Sequence, residues 1–488
     1  MKKWTAILSL VTCLTVSSLA APASEAAASS GIRSFEPDSL IKTDGSLWVW
    51  GNDQSVPTQI VGLTDVEKSF EHGFVMKQDN SVWHWERSAS SPSDVHIRRV
   101  EALNDLVSVH YNWRGLLALD AEGRVFVVPI TEGKLKLDEI APLAGIDNVA
   151  DISSYYEMAT YETRWIFLKK DGTVWRDKEA LSSFERIESL ENMIDVELNI
   201  ALKEDGTVWS WTDEAVERLS AARIDEISGI RAIKADRYTR LAIDNQNRIW
   251  FWGYTVTGWS DGTTRHKQSA PVLFTTVKDV RDAYVVERSV IALTGDGKVH
   301  EASIDRETMP DNPTFTVLAS DVSRIKTSTR HFIMQKTDGT LWGWGYNKFA
   351  NLGYGDYEIQ HFNPVPMQKP ISVHLNGEPV SLNTGVIIRN GQAFIPLRSV
   401  FEKMGAKLTW DATNKIVTIH QTEPGKPPVT IRINYTTKEA YLNEKPVTLQ
   451  NDPFIIVSTS YLPLRFISES LGAKVDWSQD EGKISISM

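Results

Sequence analysis

The chain has 488 residues, of which 42% are hydrophobic and 24% charged, and it carries a formal net charge of -11. Its length exceeds a usual domain of roughly 100 to 200 residues, so one large toroid or at least two domains are expected. The acidic balance argues against sequence-independent nucleic-acid binding, which needs clustered Lys and Arg to displace counterions from phosphates.

In chain order, Lys2 and Lys3, the apolar stretch from Ile7 to Leu19 and the small residues Ala21-Pro22-Ala23 or Ser24-Glu25-Ala26 read as an export signal over residues 1–26. A secreted or cell-surface, extracellular protein is therefore expected. Cys13, the single cysteine, falls inside the apolar stretch, and Thr12 before it suits a lipoprotein signal poorly. Cleavage past Ala26 would leave no disulfide, no thiol nucleophile and no Cys-ligated metal. No later stretch reaches the roughly 18 apolar residues of a membrane span, so none is expected.

A short phrase then recurs eight times: "TDGSLWVWG" from Thr43, "QDNSVWHW" from Gln78, "DAEGRVFVV" from Asp120, "DGTVWRD" from Asp171 and "DGTVWSW" from Asp205. It continues as "DNQNRIWFWG" from Asp244, "GDGKVHEA" from Gly295 and "TDGTLWGWG" from Thr337. Each copy reads as a hairpin, an apolar strand followed by a tight Asp-Gly turn and a strand alternating as V-W-x-W. Alternation puts both tryptophans of a pair, such as Trp209 and Trp211, on one face. A V-x-x-V strand precedes each hairpin and a further apolar segment precedes that, so four strands recur every 34 to 50 residues. Such a unit is one blade of a β-propeller.

The last copy, "TDGTLWGWGYNKFANLGYGD" from Thr337, resembles the repeat of the regulator of chromosome condensation family, and the resemblance covers residues 31–369. The expected fold is mostly β, a propeller of eight blades by this count, or seven if a copy near Phe126 or His300 is merged. "FNPVPM" at 362–367 is expected to supply a first strand to an N-terminal sheet that has only its second to fourth, closing the ring.

Beyond Pro370 a different duplication appears. "FIPLRSVFEKMGAKLTWD" from Phe394 is echoed 67 residues later by "YLPLRFISESLGAKVDWS" from Tyr461, and "HLNGEPVSL" from His374 by "YLNEKPVTL" from Tyr441. Each copy reads as strands and one short helix, with Pro at its first turn and Gly405 or Gly472 to stop it. Residues 371–488 resemble the copper amine oxidase N-terminal-like domain. The chain has Asn434-Tyr435-Thr436 and no His-x-His pair, so amine oxidation is not implied; surface association or partner contact is.

Chemistry is sparse. The strand tryptophans are read as packing residues and the Asp of each Asp-Gly as a turn residue. The histidines lack metal-ligand spacing, there is no phosphate loop or G-x-S-x-G, and Arg398 and Arg465 are read as structural. No cofactor and no metal are expected. Opposite the Asp-Gly turns, the other loops gather Tyr111, Trp113, Tyr155, Tyr156, Tyr161, Tyr238, Tyr254, Trp259, Tyr346, Phe349, Tyr354 and Tyr357 on one rim. Aromatic loops suit a binding surface. The expectation is a secreted, non-enzymatic binding or scaffold protein of the bacterial cell envelope whose propeller recognises a protein partner. The alternative is a glycan-binding or glycan-processing envelope protein using paired carboxylates in the central funnel. Nucleotide exchange on a small GTPase, by analogy with the family's namesake, conflicts with export.

Overall fold

Strands dominate the computed structural model, which describes residues 31–488 apart from 89–90, 92, 158–159, 213–218, 259–261, 399 and 426. The export signal, Cys13 and Trp259 lie outside the described residues. The repeated phrase is the turn between the second and third strands of a four-stranded antiparallel sheet. In sheet 4, Val149–Glu157 is the first strand, Glu162–Lys169 and Val174–Asp177 flank the turn, and Phe184–Arg186 is the fourth. Eight sheets of this kind follow one another. Their first strands begin at Ile32, Val66, Leu106, Val149, Met193, Ile230, Val280 and Val322.

Each turn is held by its own side chains. In five copies the aspartate accepts a bond from the Ser or Thr hydroxyl two residues on, at 2.5–2.7 Å, and that hydroxyl accepts the tryptophan indole N–H two further on, at 2.8–3.1 Å. The relays are Asp44–Ser46–Trp48, Asp79–Ser81–Trp83, Asp171–Thr173–Trp175, Asp205–Thr207–Trp209 and Asp338–Thr340–Trp342. A lysine ending the preceding strand lies 4.5–5.9 Å from each indole, a cation over a π face. Sheets 3 and 6 lack the hydroxyl, and there Arg124 and Arg248 donate to Asp120 and Asp244 instead.

The turn also links the sheets. Gly172 sits at φ 76°, where an L side chain is disfavoured, and a Cβ there would lie 2.7 Å from Asn192 Cα, so glycine is required. Its carbonyl accepts Met193 N–H, the start of the next sheet's first strand, at 3.0 Å. The same bond joins Gly45 to Val66, Asn80 to Asp105, Gly123 to Val149, Gly206 to Ile230, Asn247 to Val280 and Gly297 to Val322.

Packing completes the ring. Each W-x-W pair covers the sheet before it: Trp83 and Trp85 pack on sheet 1, Trp209 and Trp211 on sheet 4, Trp250 and Trp252 on sheet 5, and Trp342 and Trp344 on sheet 7. Trp48 and Trp50 of sheet 1 pack in the same way on Ile333, Leu341 and Leu352 of sheet 8, so the last sheet meets the first. The expected strand exchange does not occur. Ile32–Phe35 is the first strand of sheet 1, and the 362–367 stretch lies mostly in Gln360–Pro366, the fourth strand of sheet 8. Closure uses the indole of Trp50 on Asn351 O at 2.9 Å, Asn52 N–H on Phe349 O at 2.6 Å and a Lys326–Glu36 ion pair at 2.8 Å.

The C-terminal region is built by exchange between its two copies. The strands Gln392–Pro396 and Thr459–Pro463 pair antiparallel as Phe394 with Pro463, Ile395 with Leu462 and Pro396 with Tyr461. Because the copies are offset by 67 residues, this register is its own mirror, and a local dyad passes through Ile395 and Leu462, both fully buried. One sheet joins Lys407–Asp411 and Ile416–Gln421 to the second copy's Ala440–Leu442 hairpin; the other joins Lys474–Ser478 and Lys483–Ser487 to the first copy's Ser372–Leu375 hairpin. The expected helix forms in the second copy, Leu464–Ser470. In the first copy the described residues from 397 to 405 are turns, with one i→i−4 bond from Met404 N–H to Val400 O.

This region docks on the outer strand of sheet 1. Gln54–Gln59 is buried at all but its last residue, whereas the outer strands of sheets 6, 7 and 8 have no buried residue and that of sheet 2 only two. Val56 packs against Ile387, Phe394 and Tyr461, and the Tyr461 hydroxyl lies 3.2 Å from Ser55 Oγ and 3.3 Å from Thr384 Oγ1.

Two outcomes are expected. Thr173→Val leaves the Trp175 indole without its acceptor and lowers stability by about 1 kcal/mol in urea unfolding. Hydrogen bonds from Thr173 hold Asp171 below its ordinary value of 3.8. This contribution is present above the unfolded value and is lost as pH falls through the depressed folded one, so the difference between wild type and variant shrinks in acid. At the domain contact, a Cβ at Gly385 would meet the Pro57 carbonyl oxygen. Gly385→Ala therefore separates the C-terminal region from sheet 1, read in calorimetry as one unfolding transition splitting into two.

Candidate functional site

The first strands of successive sheets lie side by side and face the axis of the ring. A register shift follows the first residue of every such strand, a bulge that re-aims the next side chains. Two residues past the first apolar position come Asp151, Asp195 and Asp282 in sheets 4, 5 and 7, and four past it come Glu197, Lys234 and Tyr284 in sheets 5, 6 and 7. Lys234 Nζ is 3.4 Å from Glu197 Oε1. Burial, with the charges of Asp195 and Asp151, pushes Glu197 up to about 7 despite Lys234. Burial also raises Asp151 and Asp195.

Across the ring, a recess of about 870 Å³ opens between the first strands of sheets 1, 2, 3 and 8, lined by Asp38, Ser69, Glu71, Ser108 and His331. Burial raises Asp38 against a bond from Ser39, and burial plus the Asp38 charge raises Glu71. His331 is driven down to about 4 by burial, so its imidazole is neutral at physiological pH.

The described aromatic residues named from sequence belong to first-to-second or third-to-fourth strand loops or to the strand ends entering them, the end of each sheet opposite the Asp-Gly turns. They form three groups rather than one surface. Over sheets 2 and 3, the Tyr111 ring lies 4.4 Å from His72, and Trp113, 64% exposed, donates its indole N–H to Thr163 of sheet 4 at 2.5 Å. Over sheets 4 to 6, the Arg237 guanidinium lies 5.5 Å from Tyr156 and 5.3 Å from Tyr238, Arg265 caps Tyr238 at 4.2 Å, and Tyr254 meets Tyr238 edge-on at 6.1 Å. Over sheets 8 and 1, Arg330 stacks on Tyr346 at 3.8 Å, with Phe349 6.2 Å away; Tyr354 meets His361, and Tyr357 donates to Asn52 O at 2.7 Å. Tyr161 is 73% exposed on the same rim.

Tyr155 is a correction. Its strand alternates, and the pleat turns it inward, 4% exposed, against Trp211 and under the Arg176 guanidinium at 3.1 Å. It serves a buried ionic network in which Arg164 and Arg176 grip Glu157 at 2.9 and 2.6 Å. Tyr354 is half-buried, packed in the contact between sheets 8 and 1.

Sequence reading missed the arginines Arg237, Arg265 and Arg330, which sit between or on the tyrosines, and the charged axial layers. The layers carry a signal: an apolar residue followed two positions on by Asp, as in "NVADIS", "MIDVEL" and "VRDAYV", recurs at one register of the first strand. Among the described residues no group of three His, Cys, Asp or Glu is placed to hold a metal ion, and no helix is long and apolar enough to cross a membrane.

A family model for the copper amine oxidase N-terminal domain matches residues 374–486. Protein pim1 of Schizosaccharomyces pombe is 22% identical over 198 residues, covering 32% of this chain and 37% of that protein, so the chain spans little more than a third of that curated relative. Among solved structures, human WBSCR16 is similar at 17% identity, covering 56% of this chain and 84% of that one, with a TM-score of 0.41. Yeast RCC1 (Prp20), solved bound to Kap60, is similar at 15% identity over 56% of this chain and 78% of that one, with a TM-score of 0.41.

One pH effect follows from the axial cluster. Glu197 has a folded value of about 7 against an ordinary 4.5, so it takes up a proton on folding, and its contribution to stability is lost as pH rises between those values. Glu197→Gln is expected to flatten that stretch of the melting-temperature profile, measured by circular dichroism.

Residues 374–486 thus match the copper amine oxidase N-terminal domain, and the repeats ahead of them resemble the regulator of chromosome condensation type.

Proposed function

We propose that the chain is a secreted, non-enzymatic binding protein of the bacterial cell envelope, with the propeller recognising a protein partner and residues 371–488 holding it at the envelope. The order of basic, apolar and small residues over 1–26 supports export. The observation that carries the recognition half is the inequality of the two rims. One is consumed by the Asp-Gly turns, whose side chains and carbonyls are spent on holding neighbouring sheets. The other differs from sheet to sheet and presents Tyr111, Trp113, Tyr161 and the Arg237–Tyr238–Arg265 stack to solvent. Arg237 and Arg265 are exposed and carry no carboxylate partner among the described residues. Tyr, Trp and Arg are the residues that dominate protein–protein hot spots, because they bury large area at low entropic cost and add directed polar contact.

A second reading has its own observation. Asp38 and Glu71 line one recess that opens on the same rim, and both carboxyls are raised by burial, the state a general acid needs. A glycan-processing activity would use that pair.

A photo-crosslinking residue at position 113 or 238 in the full chain, incubated with the producing cell's surface fraction, tests the first reading against the same residue at position 173. Discrete protein adducts from the first two positions are expected, those from position 238 lost in a Trp113→Ala variant and those from position 113 lost in an Arg265→Ala variant as affinity falls at least about tenfold, as for hot-spot residues. Equal labelling from both rims overturns the reading. Turnover of envelope polysaccharide that is abolished by Asp38→Asn would put the second reading in its place.

A further inference from the structure

The C-terminal region holds two clefts that are copies of one another. One, about 530 Å³, is lined by Leu397, Arg398 and Trp410 of the first copy with Ile455, Ser458 and Thr459 of the second. The other, about 570 Å³, is lined by Leu464, Arg465 and Trp477 of the second copy with Ile388, Gly391 and Gln392 of the first. Every one of these residues has its counterpart 67 positions away in the other cleft. The dyad through Ile395 and Leu462 explains why each cleft takes its tryptophan and arginine from one copy and its floor from the other.

Packing alone does not account for the shared side chains. Trp477 is 43% exposed, at the end of a strand whose other inward residue, Val475, is buried. Trp410 is half-buried, braced edge-on by Tyr435 at 5.4 Å. Arg398 is exposed with no ion partner among the described residues, and Arg465 has only the exposed Glu469 one turn on, at 3.3 Å. An exposed ion pair of that kind contributes little. Beside further apolar residues, the polar lining is hydroxyl, amide and ammonium: Ser458, Thr459 and Lys415 in one cleft, Gln392, Gln450 and Lys369 in the other.

We propose that the two clefts are a pair of binding sites for a polysaccharide whose units carry a carboxylate. An indole face takes the apolar side of a pyranose ring, hydroxyl and amide groups take its hydroxyls, and a guanidinium takes the carboxylate through paired N–H donors. Two copies of one site on a rigid unit suit a polymer that repeats, because the second contact becomes intramolecular once the first is made. The proposal deepens the envelope-holding half of the reading above and does not involve the propeller rim.

The full chain titrated with a galacturonic acid hexamer and, separately, with an oligosaccharide containing muramic acid, followed by tryptophan fluorescence and calorimetry, provides the test; the two arms separate a uronate from a lactyl carboxylate. Binding of either probe at two sites per chain is expected, with one site remaining in Trp477→Ala and one in Trp410→Ala. Arg398→Gln, at an exposed position, should weaken one site at least tenfold without moving the melting temperature, and neutral chitohexaose should bind at least tenfold more weakly than the acidic probe. No saturable binding of either acidic probe, a stoichiometry untouched by Trp477→Ala, or equal affinity for chitohexaose would overturn the proposal. Those results leave the rim crosslinks unaffected, so the two readings fail separately.

Discussion

The carbonyl of each Asp-Gly turn, hydrogen-bonded to the first strand of the following sheet, is the contact on which the ring depends. It makes a local feature do long-range work. A two-residue turn needs a left-handed backbone position, which glycine supplies at no steric cost and asparagine at a small one, and where it is glycine the absent side chain lets the next strand approach closely. The residue before that strand is itself left-handed in all seven joints, as Asp65, Asp105, Asn148, Asn192, Asp279 and Asp321 in six and as Gly229 in the other. Aspartate and asparagine tolerate that conformation better than other non-glycine residues. Spacing between sheets is thus set by backbone bonds, and the tryptophans fill the distance those bonds define.

The joint between sheets 8 and 1 cannot use this device, because no chain runs from one to the other. Side chains replace it. The glycine-rich tail of the last repeat folds back through Asn347, which is fully buried and bonds Asp356 Oδ1 at 2.6 Å and Leu352 N–H at 3.0 Å. That loop then offers its carbonyls at Phe349 and Asn351 to Asn52 and Trp50 of sheet 1. The tail is present in full only in the last copy because only there does a sheet have to find its neighbour across a break in the chain.

Much of this was legible from the residues. Eight copies of one phrase, the pairing of tryptophans on one face and the 67-residue duplication all follow from short-range periodicity, and each corresponds to an observed element. The failures are as specific. The apolar segment ahead of each V-x-x-V strand reads as opening that sheet, whereas it closes the sheet before, as Gln54–Gln59 closes sheet 1 and Gln360–Pro366 closes sheet 8, so no strand has to cross the closure. Tyr155 and Tyr156 are adjacent and look alike in sequence, yet a strand pleat sends one into the core and leaves the other half-exposed. The arginines meet the rim tyrosines across loops, as Arg330 meets Tyr346 within sheet 8 and Arg237 of sheet 6 reaches Tyr156 of sheet 4, and the repeated phrase does not contain them. The paired clefts are invisible for the same reason, since each is half one copy and half the other.

The outer strand of sheet 1 shows how the two halves of the chain constrain each other. An exposed propeller edge can carry long or charged side chains, as Val95–Asn104 does with Arg98, Arg99 and Glu101. The strand Gln54–Gln59, "QSVPTQ", carries no charge. Its small hydroxyls meet Tyr461 and Thr384, its valine meets Ile387 and Phe394, and its Pro57 presents a carbonyl to Gly385. Tyr461 is also one of the residues that pair across the dyad, opposite Pro396. The same side chain therefore fixes the two copies to each other and the pair to the ring, so the axial recess, the aromatic rim and both clefts are held in one frame. A ligand engaged at the clefts would then hold the rim at a set orientation to the polymer, which a flexible tether between the domains would not do.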